Sequence, residues 1–162
     1  MLMSGCATDY ANKDPTGMLF PSITGQSLEN KSYRIPQDFT TEKTLLLIGY
    51  RQNSQFDIDR WMIGLDMTNI LVPFIEMPTI QGFFPRLFSS SIDEGMRSGI
   101  PQELWPAVIT VYEDGEKVQS FTGNDKPNNA RVILLNKTGR VNFFYDRGFS
   151  VQALNKLISA IQ

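Results

Sequence analysis

The sequence predicts a three-layer α/β sandwich: a mixed central sheet, helices on both faces, and an added β-hairpin near the N-terminus. Three observations carry this. Residues 44–50 (Thr44, Leu45, Leu46, Leu47, Ile48, Gly49, Tyr50) form a near-continuous apolar run of strand length, as a central strand covered on both faces requires. Through the middle of the chain, such runs alternate with segments of helical period, the pattern of parallel strands joined by right-handed crossovers. The chain then closes on two short strands and a helix, which predicts an antiparallel pair and a covering helix.

In chain order, residues 1–17 read as a tail or tether and residues 18–162 as one domain. Residues 18–39 hold short apolar pieces broken by turns, and predict irregular chain with a small hairpin. After the 44–50 strand, Ser54 is placed to cap a helix. Ile58, Trp61, Met62 and Leu65 then fall at i, i+3, i+4 and i+7 on one stripe. Residues 69–76 predict the next strand. A helix is expected near Phe84, with Pro85 in its first turn, where a missing N–H is harmless. Leu87, Phe88, Ile92 and Met96 continue its apolar face, and Gly99 and Pro101 end it. Residues 108–112 predict a strand, Asp114-Gly115 a hairpin turn, and residues 117–121 a strand returning beside it. A polar loop spans 123–129. Residues 131–135 and 141–145 predict strands joined by a turn at Asn136 to Gly139. The last helix follows Ser150, with Val151, Leu154, Leu157, Ile158 and Ile161 on one face.

Composition narrows the chemistry. Hydrophobic residues make up 41% of the chain and charged residues 20%, enough apolar matter for a core and too little charge for disorder. The formal net charge is −2, so no basic surplus points to nucleic acid. There is no histidine, which excludes His-based acid–base catalysis and most zinc, copper and haem ligation. The methionines are scattered, which argues against copper delivery. Neither a metal nor a cofactor is expected.

Cys6 is the sole cysteine. Residues 2–7 (Leu2, Met3, Ser4, Gly5, Cys6, Ala7) resemble a bacterial lipobox, in which the cysteine carries lipid and becomes the mature N-terminus. A lipobox requires a basic segment and an apolar segment of about 7–15 residues ahead of it. By the same resemblance, Ala7 rather than aspartate after the cysteine implies the periplasmic face of the outer membrane, with a multi-chain lipid anchor. The plain alternative is a free thiol on a tail.

The order of elements is similar to the thioredoxin fold with the N-terminal hairpin of peroxiredoxins and their relatives. Phe20 to Leu28 resembles the opening segment of those domains. Residues 44–50 and the following helix resemble the strand that delivers the active-site loop. Arg131 to Val141 resembles their arginine-strand-turn-strand unit, and 149–161 their last helix. Within the superfamily the chain is loosely similar to the mitochondrial ATP synthase assembly factor family, through Arg51, Trp61 and residues 129–148. That likeness implies assembly rather than peroxide reduction.

Thiol redox chemistry needs a thiolate at a helix N-terminus and a second sulfur. The loop in that position holds Arg51, Gln52, Asn53, Ser54 and Gln55, with no cysteine. Arg51, Gln52 and Gln55 beside a helix N-terminus, with Arg131 placed by resemblance near the same loop, are the candidate binding residues. Convergent arginines there would hold a carboxylate. The plain alternative is a solvated loop, with an arginine paired to Asp57 or Glu76. Asp57, Asp59 and Arg60 are expected on the wet face of the first helix. Phe83-Phe84 or Phe56 would mark a partner surface. Three functions remain open: a non-catalytic, lipid-anchored binding or assembly module; a non-thiol enzyme or anion binder using Arg51 and Arg131; and a pseudo-enzyme that binds peroxiredoxin partners.

Overall fold

A computed structural model describes residues 8–82 and 89–162. β1 (Ile23–Ser27) and β2 (Ser32–Ile35) form the N-terminal hairpin, with Ile23 opposite Ile35. β3 (Lys43–Gly49) is central. Leu45 and Leu47 enter the core on one face of the sheet, Leu46 and Ile48 the core on the other. β4 (Phe74–Pro78) pairs parallel to β3 on one side. β5 (Ile109–Thr110) joins β1 in a separate three-stranded sheet, order β2-β1-β5; residues 108 and 111 beside it meet Glu76 and Thr79 through parallel bridges. β6 (Arg131–Asn136) runs antiparallel to β3 on its other side, and β7 (Val141–Tyr145) completes the order β4-β3-β6-β7.

α1 (Gln55–Thr68) lies over Leu45, Leu47, Val132 and Leu134. Its stripe behaves as its spacing predicts: Ile58, Trp61 and Leu65 are buried, and Trp61 meets Tyr145 and Phe149 edge-on. α2 (Ser89–Gly99) is followed by a 3-10 turn, Gln102–Ala107. α3 (Gly115–Thr122) packs Val118 against Ile109 and Val111 on the opposite face from α1. α4 (Val151–Ile161) returns beside α1, and Ser150 caps it by accepting from the Ala153 N–H at 3.1 Å.

Several expectations are corrected. The Asp114-Gly115 turn starts α3, not a hairpin, and residues 117–121 are helical. Asp114 is held by β1, accepting from the Thr24 N–H at 2.8 Å, and pairs with Lys117 at 2.8 Å. Its charge thereby sits at the positive end of the helix. Gly115 is required because a Cβ there would strike the Ile80 carbonyl, not because the chain reverses. β4 begins at Phe74 rather than residue 69. Asn69 closes α1 in the left-handed conformation (φ 55°), and Pro73 has no N–H to pair. The start of the helix expected near Phe84 and Pro85 lies outside the described residues, but its end at Gly99 is observed.

Residues 8–17, read as a tether, lie bound along the domain. Tyr10 and Asn124 exchange bonds of 2.7 and 2.9 Å, Lys13 N–H donates to the Thr122 carbonyl at 3.1 Å, and Gly17 N–H donates to the Val141 carbonyl at 2.8 Å. Gly123, at φ 80°, lets the backbones of Ala11 and Asn12 approach where a side chain would block them. Cys6 lies outside the described residues.

Candidate functional site

The loop that leads into α1 is built from a 3-10 turn, Gln52–Ser54, entered from Arg51 in extended conformation. Ser54 stands at the N-cap position with helical backbone, and its hydroxyl donates back to the Arg51 carbonyl, so it caps nothing through its side chain. A Cβ on Gly49 would strike that hydroxyl. Arg51, Gln52 and Asn53 are exposed. Ser54 is buried, and Phe56 projects outward with 70% of its surface exposed.

Arg131 sits on the other side of this framework and is wholly buried. Its Nη1 donates to the carbonyls of Lys126 (3.1 Å) and Asn129 (2.9 Å). Its Nη2 donates to the Asp125 carbonyl (2.6 Å) and to Asn12 Oδ1 (3.0 Å). The guanidinium lies 4.9 Å from the centre of the Tyr50 ring. Burial pulls its pKa down; Tyr50, Asp146 and Asp125 act against this. Both terminal nitrogens are therefore engaged by this chain, and Arg51 contributes to none of the contacts. The guanidinium pairs with neither Asp57 nor Glu76.

Asp57 is not on the wet face of α1. It is buried, and accepts from the backbone N–H groups of Ala130 (2.8 Å) and Phe149 (2.7 Å). One carboxylate thus ties the loop before β6 and the loop before α4 to the start of α1, and an ionised acceptor makes such bonds strong.

The feature that spacing alone did not reveal is a cleft of about 410 Å³ between α1, α2 and the turn after α2. Glu76 of β4 lines it and is only 8% exposed. Gln55 and Asp59, one helical turn apart, form its polar rim, with Gln55 Nε2 donating to Asp59 Oδ1 at 2.9 Å. The Gln55 side chain also favours the charged form of Glu76. Burial pushes the Glu76 carboxyl up, Gln55 opposes this, and Asp59 adds to it. Of the candidate residues, the structure therefore brings Gln55 into a built pocket, leaves Arg51 and Gln52 in solvent, and commits Arg131 to the fold. The readable signal for Glu76 was a lone acid inside an apolar strand.

A second surface lies on the outward side of α1. Phe56 (70% exposed), Ile63 (61%) and Met67 (79%) share a stripe, and Leu71 (95%) extends it past the helix end. An apolar groove of about 700 Å³ adjoins it, walled by Leu65, Ile70, Val72 and Phe74. Phe83-Phe84 lies outside the described residues.

Neither a family model nor a curated protein matches the chain. Solved structures do. A thiol peroxidase from Chromobacterium violaceum is similar over 94% of this chain and 90% of its own, at TM-score 0.62 and 13% identity. BsSco, a member of the Sco family of cytochrome c oxidase assembly proteins, matches over 93% of this chain and 95% of its own, at TM-score 0.62 and 13% identity. A SCO1/SenC family lipoprotein from Bacillus anthracis str. Ames matches over 93% and 97%, at TM-score 0.60 and 10% identity. At such identities the likeness establishes the fold alone: the chain has a thioredoxin-like fold with an added N-terminal hairpin.

Proposed function

We propose that the chain is a non-catalytic binding or assembly module of the bacterial envelope, anchored by lipid on Cys6, which docks a protein partner on the outward face of α1. The observation that carries this reading is the stripe of Phe56, Ile63, Met67 and Leu71, each more than half exposed. Leaving that much apolar surface in water is unfavourable at roughly 25 cal/mol per Å², and a partner that covers it recovers the energy. The loop before α1, where a thioredoxin-like enzyme would need its thiol, offers Arg51, Gln52 and Asn53 instead. Relatives in fold include a lipoprotein and a member of an assembly-protein family, which fits both halves of the proposal. The lipobox-like residues 2–7 support a position on the periplasmic face of the outer membrane.

The test uses the full-length chain behind a lipoprotein leader, carrying a photo-crosslinking residue at Met67 or Leu71, and at exposed Lys156 of α4 as control. The expected result is one reproducible adduct from the α1 positions, none from Lys156, and loss of the adduct when Ile63→Glu is added. Adducts that ignore Ile63→Glu overturn the docking face. Metabolic labelling with an alkynyl fatty acid is expected to tag the chain and to fail in Cys6→Ala. Label that survives the substitution overturns the anchor.

A further inference from the structure

We infer that the cleft between α1 and α2 is a binding site for an ammonium group on an unbranched carbon stem, the chemistry of a lysine side chain, with Glu76 as its counter-ion. This goes deeper into the binding-module reading and rests on it only for the source of the amine.

Glu76 pairs across the sheet with Leu47 and shares a face with Phe74, so its strand surroundings are apolar. A buried carboxylate without a counter-charge is unfavourable, and folds that bury one ordinarily supply a cation or several N–H donors. Among the described residues the nearest polar help is the Gln55 amide, whose hydrogen bond goes to Asp59. No Lys or Arg is among the described residues lining the cleft. Arg97 of α2 turns away: it donates to the Leu28 carbonyl (2.7 Å) and Asn30 Oδ1 (2.8 Å) and pairs with Glu94. Among the described residues the cleft therefore holds acids at its floor and rim and no cation of its own.

The walls set the rest of the ligand. Met62, Phe74, Met96 and Leu104 provide apolar contact for methylenes. Gly95 and Gly99, four residues apart on α2, also line it, and a Cβ at either would meet nothing within 4 Å. Glycine within a helix costs roughly 1 kcal/mol against alanine, and here it keeps the cleft wide. The volume of about 410 Å³ suits a small ligand group. An ammonium at Glu76 would stand beside Asp59 and Gln55, while its stem lies on the methionines, the arrangement by which long cationic side chains bury their stems.

The experiment is an amide-shift titration by NMR at pH 7, with the full chain and hexylammonium as probe, against n-hexanol and hexanoate. Hexylammonium is expected to give saturable shifts at Gln55, Glu76, Gly95 and Gly99, at least tenfold tighter than hexanol, and hexanoate none. Glu76→Gln, an isosteric change, is expected to weaken the amine tenfold or more. Gly99→Leu is expected to abolish binding with the carboxyl intact. Equal affinity for hexanol, or no effect of Glu76→Gln in a cooperatively folded variant, overturns the site. Nα-acetyl-lysine methylamide is expected to bind more tightly than the free diamine cadaverine, whose second charge meets the apolar walls; the reverse order overturns the side-chain source. Titration reads the cleft alone and crosslinking from α1 reads the docking face, so the two proposals fail separately.

Discussion

Arg131 and Glu76 flank the central strand on its two sides, Arg131 opposite Ile48 and Glu76 opposite Leu47, and they point to opposite faces of the sheet. Both are buried ionisable groups beside the C-terminal half of β3. Around Arg131 the chain has mostly closed: three backbone carbonyls and Asn12 take its terminal N–H groups and Tyr50 covers its plane, with the buried Nε alone of its nitrogens left without a hydrogen-bond partner. Around Glu76 the chain has stayed open: one amide, a rim acid and a cleft. The difference teaches that burial alone does not single out a charge: what separates the two is how far the protein's own groups surround it.

The strongest way to break this comparison is Arg131→Met. If Arg131 is a structural staple, its loss frees the carbonyls of Lys126, Asn129 and Asp125 and releases residues 8–17 through Asn12. The expected cost is about 3–5 kcal/mol, the range for removing one partner of a buried charge network, read by urea unfolding. Arg131→Lys is expected to recover little, since an ammonium lacks the planar fork that reaches carbonyls on both sides. A variant as stable as the parent would mean that the arginine is free to serve a ligand.

Asp57 sharpens the same side of the comparison, because it too is held by the chain's own groups. Asp57→Ala leaves the N–H groups of Ala130 and Phe149 without acceptors. An expected loss of about 2–4 kcal/mol follows from two unpaired donors at roughly 1–2 kcal/mol each. Hydrogen exchange should accelerate first at those two amides. Exchange unchanged there would show that the carboxylate is not the latch.

The contrast between the two charges was only half legible in the sequence. The covered strand, the Trp61 stripe, the turn before β7 and the Ser150 cap follow from local spacing, and Arg131 was singled out because it starts a strand in a familiar unit. What its guanidinium does depends on a loop folding back over it and on Asn12, more than a hundred residues away in the chain, which no local pattern carries. Asp57 reads as wet from its place in a helix's first turn, and is dry because two distant loops arrive there. Gly115 looked like a turn residue, since close approach to Ile80 and chain reversal select the same amino acid. Gly99 reads in sequence only as the end of its helix, and neither Gly95 nor Glu76 signals a pocket there; only α2 lying near α1 brings the three to one cleft.

The smallest expected effect carries the opposite sign and tests the open half of the comparison. Burial raises the Glu76 carboxyl above its ordinary 4.5. Below that value the group is protonated in both folded and unfolded chains, and Glu76→Gln should unfold at nearly the same temperature as the parent. As pH rises past it, the unfolded chain gives up its proton first, so the folded state binds more protons and loses stability with pH. At pH 7 Glu76→Gln is therefore expected to melt above the parent, by more than it does at pH 4. Saturating hexylammonium should narrow it, because only the parent gains a counter-ion. A glutamine variant that melts far below the parent at pH 7 would place Glu76 with Arg131, as a charge the fold itself requires.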